Sequence, residues 1–173
     1  FPDLYETGFA NMGVEILYQL INRRTDAYAE RAYAPDTDLS KLLRERNWPF
    51  FSLESRTPLN QFDIVGFSMP YELCYTNILE MLDLAQIPLY AADRGAEHPL
   101  VIGGGPCVVN PGRLAKFFDA FVIGDGEEII AEMIDVIRYK KAKGAARTEI
   151  LAELAKIPGL YVPAFYDVAY LPD

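Results

Sequence analysis

Apolar residues near the start of the chain recur at three- and four-residue intervals. Met12, Ile16, Leu17, Leu20 and Ile21 fall on one side of a helix predicted from Asn11 to Arg24. Asn11 stands where a side-chain oxygen takes the first unpaired amide, and Arg23 and Arg24 stand at the carbonyl end, where the helix dipole favours cations. The tyrosine-rich stretch around Ala29 to Ala34 reads as a strand, Asp38 to Arg46 as a second helix capped by Thr37 or Asp38, and Phe50 to Leu53 as a short strand. At the very start, Phe1-Pro2-Asp3 reads as the last residue of a strand followed by a turn, so the strand is expected to continue upstream.

From Asp63 the pattern changes. Asp63 to Ser68 is a compact apolar run of the kind buried on both faces of a parallel sheet, and a helix from about Glu72 to Ala85 follows it through Pro70. Pro99 to Ile102 leads through a glycine-rich loop to a predicted helix from Gly112 to Phe118. Ala120 to Ile123 leads through Gly124-Asp125-Gly126 to a helix from Glu127 to Lys141. Strand and helix alternate with the short loops of right-handed crossovers, which predicts an α/β fold with a doubly wound, Rossmann-like parallel sheet. A last helix, Arg147 to Lys156, ends at Pro158-Gly159. Leu160 to Leu171 then reads as an edge strand, a hairpin or the start of a connection. The expected division is a Rossmann-type domain over 1–145 and a helix with extended linker over 146–173.

Composition narrows the function classes. With 173 residues, 51% apolar and 13% aromatic, the chain folds around one core. No apolar run approaches the ~20 residues that cross a bilayer, and a cytoplasmic protein is expected. The net charge of −9 opposes binding to a phosphate backbone. The one basic run, Arg138, Lys140, Lys141 and Lys143, closes a predicted helix and reads as its solvated end. Cys74 and Cys107 are too few for a metal site, and the single histidine, His98, precedes Pro99 in what reads as a surface turn. No nucleophile stands beside a base, so no catalytic residue is assigned within this chain.

Ligands of an open parallel sheet gather beyond the carboxyl ends of its strands. Four loops belong on that edge: Gly8 to Gly13, Ser68 to Glu72, Gly103 to Asn110 and Gly124 to Glu127. Gly103-Gly104-Gly105 either lets a flat ligand approach the main chain or makes a tight turn against a neighbour. Ser68 either donates to a ligand or caps the following helix. Gly124-Asp125-Gly126-Glu127 places carboxylates at a helix amino end, which repels phosphate. Neither a P-loop nor a G-x-G-x-x-G fingerprint is present.

Phe1 to Gly13, Phe67-Ser68-Met69-Pro70-Tyr71-Glu72-Leu73, Gly103-Gly104-Gly105-Pro106 and Asp119 to Glu128 together resemble the amino-terminal domain of an uncharacterised family of cobalamin-type radical S-adenosylmethionine (radical SAM) proteins. The resemblance implies a corrin held over the carboxyl edge of the sheet, beside a barrel domain on the same polypeptide that carries a [4Fe-4S] cluster and uses S-adenosylmethionine. This chain has no C-x-x-x-C-x-x-C run, so cluster and cleavage chemistry would reside in that other domain. Against the D-x-H-x-x-G element of cobalamin domains, with Gly13 at the final glycine, Gly8 and Ala10 occupy the aspartate and histidine positions. A bound corrin would therefore lack a protein histidine on cobalt. The residues implied around it are Asn11, Gly13, Ser68, Tyr71, Gly103, Gly104, Gly105, Gly124, Asp125, Gly126 and Glu127. The rival expectation is a cofactor-free domain whose same edge docks the barrel or a substrate protein.

Overall fold

The computed structural model describes residues 1–167 and residue 169. In chain order the elements are α1 (Tyr5–Gly8), α2 (Met12–Asn22), α3 (Thr37–Arg46), β1 (Ile64–Ser68), α4 (Tyr75–Leu84), β2 (Leu100–Gly104), β3 (Ala120–Val122), α5 (Gly126–Ala142), α6 (Arg147–Leu154) and β4 (Leu160–Tyr161). β1, β2 and β3 are parallel, with Ile64 opposite Leu100 and Ile102 opposite Ala120, and β4 closes the far edge antiparallel to β3.

Alternation along the strands divides the core into two layers. On one face Val65, Phe67, Val101 and Phe121 pack with Leu43 of α3, with Ile78, Met81 and Leu82 of α4, and with Leu114 and Phe118. On the other, Leu100, Ile102, Ala120 and Val122 pack with Met133 and Ile137 of α5 and with Ile150, Leu151 and Leu154 of α6. β2 is covered from both sides, which is why its sequence is an uninterrupted apolar run. Each fully buried Leu, Ile or Met in these layers contributes about 1.5–3 kcal/mol of transfer free energy.

The mixed α/β class and the three parallel strands agree with the sequence pattern. The strand order is β1-β2-β3-β4, a steady progression across the sheet. The reversal that defines a doubly wound order is therefore not found among the described residues. Residues 29–34 are extended but form no strand, and in 50–53 only Phe51 makes a bridge, to Pro58. The helix expected over Gly112 to Phe118 is replaced by a 3-10 turn at Pro111–Arg113 and the turns that follow it. There the amides of Leu114 and Phe117 bond three residues back, to Pro111 O and Leu114 O, both at 2.9 Å, and Phe118 is drawn into the core. α3 is capped by Asp36, whose carboxylate accepts from Thr37 N at 2.6 Å, one residue before the caps expected. The segment after residue 145 is part of the fold: Ile150, Leu154, Ile157, Leu160 and Val162 are buried in the second layer. The expected connection beyond Leu160 extends outside the described residues at 168 and 170–173.

At the amino end of the strands lies a charged cluster that sequence reading missed. Asp119, 1% exposed, accepts from Arg94 Nη1 at 2.9 Å, Arg147 Nη2 at 2.8 Å and Val101 N at 2.7 Å. The guanidinium of Arg94 also donates to the carbonyls of Pro88, Leu89 and Phe117, and that of Arg147 to those of Gly95, His98 and Pro99. Desolvation holds Arg94 below its ordinary pKa, against the pull of Asp119. The basic run at the end of α5 is engaged within the chain: Arg138 pairs with Asp26, Lys140 with Glu153, Lys141 with Asp63, and Lys143 lies over Tyr139.

Candidate functional site

The carboxyl ends of β1, β2 and β3 open into residues 69–74, 105–110 and 123–125. Two backbone bonds tie the first two loops together: Met69 N donates to Gly104 O at 2.7 Å, and Cys107 N to Met69 O at 3.2 Å. α2 runs beside α5 in the same direction, with Leu17 against Gly126 and Arg24 paired with Asp135. The amino end of α2 therefore projects at the same edge as Gly124-Asp125-Gly126.

The three consecutive glycines have three different reasons. A Cβ on Gly103 would stand 2.7 Å from Phe121 Cδ1 and 2.8 Å from Met69 Cε, so core packing excludes a side chain there. Gly105 has φ +95°, and its Cβ would meet Met69 N at 3.0 Å and O at 3.1 Å, so the loop crossing excludes one too. A Cβ on Gly104 meets nothing within 4 Å. Only Gly104 leaves its surroundings open to another molecule.

Most other residues implied by the resemblance already have partners or lie apart. Asn11 caps α2, its Oδ1 accepting from Val14 N at 3.0 Å, and Gly13 lies exposed within that helix. Tyr71 donates its hydroxyl to the Asp3 carboxylate. That bond, aided by burial, pushes the phenol up to about 12. Ser68 ends β1 half-buried, and the turn that opens α4 carries no side-chain cap, so Ser68 is not its cap. Gly124 has φ +111° and a Cβ there would meet nothing within 4 Å, Asp125 occupies the N-cap position of α5 without a side-chain capping bond, a Cβ on Gly126 would stand 3.6 Å from Leu17 Cδ2, and Glu127 is exposed. The fold brings Ser68 and Gly104 side by side across β1 and β2.

Cys74 and Cys107, distant in sequence, join the same core cluster as free thiols. Cys74 Sγ donates to Tyr71 O at 2.8 Å, and burial pushes its thiol up. No group of three His, Cys, Asp or Glu residues able to hold a metal ion occurs among the described residues.

What sequence reading missed at this edge is apolar exposure. Leu73 is 88% exposed, Val109 77% and Met12 76%, with Phe9 and Ile123 also exposed. Leu73 and Val109 stand on the two loops stapled through Met69. Their signal in the sequence was an apolar residue outside the periodic pattern of any strand or helix. Beside them, Phe9, Ala10, Asn11, Met12, Glu15 and Arg31 line a shallow groove of about 490 Å³. A larger groove, about 550 Å³, runs between α3 and α4 and reaches Asp3 and Leu4; Asp36, Lys41, Arg44 and Glu80 also line it. Neither groove includes Ser68, Gly104 or Gly124.

The family described as radical SAM proteins, N-terminal, matches residues 13–163. An uncharacterized protein of Methanocaldococcus jannaschii, MJ0966, is 27% identical over 96 residues, which is 53% of this chain and 20% of that protein. The chain thus aligns with about a fifth of the length of this relative. No solved structure matches. No helix among the described residues is long and apolar enough to cross a membrane.

Proposed function

The chain belongs to the family of N-terminal domains of radical SAM proteins, and from that premise we propose that its carboxyl sheet edge docks the catalytic radical SAM domain of the same polypeptide. The observation that carries this reading is the exposure of Leu73 and Val109 on adjacent, mutually bonded loops. Apolar side chains held outward on a braced loop lose little conformational freedom when a partner covers them, so their burial adds to affinity. The domain itself contributes no reacting group. It orients and shields the catalytic domain, and radical chemistry stays with that domain.

A second reading, a corrin over the same edge, is favoured by the open space at Gly104 and Gly124. Ser68, Gly104 and Gly124 would hold it, and Ala10 offers no ligand to cobalt. Gly103 and Gly105 do not support it specifically, since packing alone accounts for both.

The test uses the full-length protein and a version with Leu73→Asp and Val109→Asp. Limited proteolysis between the domains, followed by gel filtration, reports whether the halves stay together. The docking reading expects association in the parent and at least tenfold weaker association in the variant, about 1.4 kcal/mol, with unchanged thermal unfolding of the N-terminal half. Equal association in both forms would refute it. Saturable hydroxocobalamin binding by the full-length protein, lost on Gly104→Phe, would put the corrin reading in its place.

A further inference from the structure

Phe1 and Tyr33 make the two hydrogen bonds of a parallel β-bridge. The Phe1 amino nitrogen donates to Ala32 O at 2.7 Å, and Ala34 N donates to Phe1 O at 3.1 Å. Residues 28–34 travel in the direction of β1. Tyr28 lies against Phe62, just before β1, whereas Pro2 and Asp3, beside Ala34, bond to Asn77 and Tyr71 just after it. Ala32 and Ala34 pack against the same core layer as Val65 and Phe67.

β1 has one free edge. Asp63 O and Met69 N bond to β2, so by alternation the amides and carbonyls of Ile64, Gly66 and Ser68 point the other way, where no strand pairs with them among the described residues. Gly66, in the middle of that strand, is exposed, and a Cβ there would meet nothing within 4 Å. α2 is equally short of cover: despite Leu17, Leu20 and Ile21, none of its residues is fully buried. An open strand edge inside an otherwise buried parallel sheet is a site for strand addition.

We propose that one further parallel strand fills the slot between β1 and residues 29–33, and that it is formed by the polypeptide joined to the amino side of Phe1. Such a strand continues the Phe1–Tyr33 bridge in register. Its other edge meets Ile64, Gly66 and Ser68, and α2 becomes the crossover that lies on it. Being central, it is apolar on both faces, with about five residues to match its neighbours. Residues 29–33 then become a true strand.

The strand also alters what the edge can bind. From the added strand the chain goes to residues 29–33 on one side and to β1 on the other, so the order reverses between the added strand and β1. That reversal is the switch point at which open sheets hold ligands. It places residues 3–11 and 69–74 on opposite walls of one crevice, bridged by the Tyr71–Asp3 bond. The proposal is independent of the docking reading, which rests on Leu73 and Val109.

Hydrogen exchange in the full-length protein tests it. The amides of Gly66, Ser68 and Ala32 are expected to exchange at least about tenfold more slowly than in a version beginning at Phe1, and nearly as slowly as those of Val65 and Phe67. In the full-length protein, amide-to-α-proton Overhauser contacts from Gly66 to residues preceding Phe1 are expected as well, a readout that needs no shortened form to fold. Fast exchange at Gly66 and Ser68 while Val65 and Phe67 stay protected would overturn the proposal. So would protection accompanied by contacts to any other segment.

Discussion

Replacing Asp119 by Ala removes one negative charge from between two guanidinium groups. Arg94 is wholly buried and Arg147 nearly so, at 0% and 12% side-chain exposure, so water cannot take the place of the carboxylate. Breaking a buried pair by deleting one partner costs about 3–5 kcal/mol, because the remaining charge is left uncompensated. The amide of Val101 also loses its acceptor, which costs about 1–3 kcal/mol when buried. These terms overlap, and a loss of about 4 kcal/mol is expected from a domain whose total stability is of order 5–15 kcal/mol. Asp119→Asn keeps an acceptor for Val101 and should lose less. Replacing Asp119 and Arg94 together by Leu and Met should not recover the loss, since Arg147 keeps its charge without a partner and the carbonyls of Pro88, Leu89 and Phe117 lose their donor. Urea unfolding followed by circular dichroism measures all of these in one cycle. The cluster lies at the amino ends of the strands, opposite the candidate edge, so association with the catalytic domain should persist wherever the variant is folded. A loss below about 1 kcal/mol for Asp119→Ala would refute the reasoning, because it would mean that water or rearranged carbonyls satisfy the buried guanidinium.

Gly103→Ala should destabilise by about 1–3 kcal/mol through overpacking against Phe121 and Met69, while Gly104→Ala should leave stability unchanged; thermal unfolding of the pair separates packing from surface access. Burial opposes ionisation of Glu30, but the hydroxyls of Ser52 and Ser55 and the Ser55 amide outweigh it and hold the carboxyl below its ordinary pKa. Because the folded value is the lower one, its contribution is complete above the unfolded value and lost as pH falls through the folded one; residues 28–34 and 51–58 should exchange amides faster there, and Glu30→Gln should remove this dependence. Tyr71→Phe should cost about 0.5–1.5 kcal/mol by removing the hydroxyl that donates to the Asp3 carboxylate, which keeps the Leu4 amide, and should remove a phenol pushed up to about 12, followed by ultraviolet absorbance.

The periodic segments were legible in the sequence because local spacing alone fixes which face is buried. α2 with its Asn11 cap, β1, β2, β3 and α5 all lie within a residue or two of where alternation and helical spacing put them. The order of strands and the role of each loop residue depend on contacts that local spacing does not contain. Residues 29–34 have strand composition, yet a strand requires a continuous neighbour, and among the described residues backbone bonds reach them only at points, from Phe1 and Asp3 on one side and from Leu53 N to Arg31 O on the other. Gly112 to Phe118 has helical spacing, yet the burial of Phe118 in the core goes with tight turns bonded three residues back, from Leu114 to Pro111 and from Phe117 to Leu114. The run Gly103-Gly104-Gly105 looked uniform in sequence. Tertiary packing gave its members separate reasons, one set by a ring, one by a crossing backbone and one by open space. The sequence by itself determined the α/β class, the edge on which the loops gather and the resemblance to radical SAM amino-terminal domains. Only the tertiary structure decided which residues there were already engaged, which apolar side chains remained uncovered, and that two arginines distant in sequence share Asp119, since each depends on distances between segments far apart along the chain.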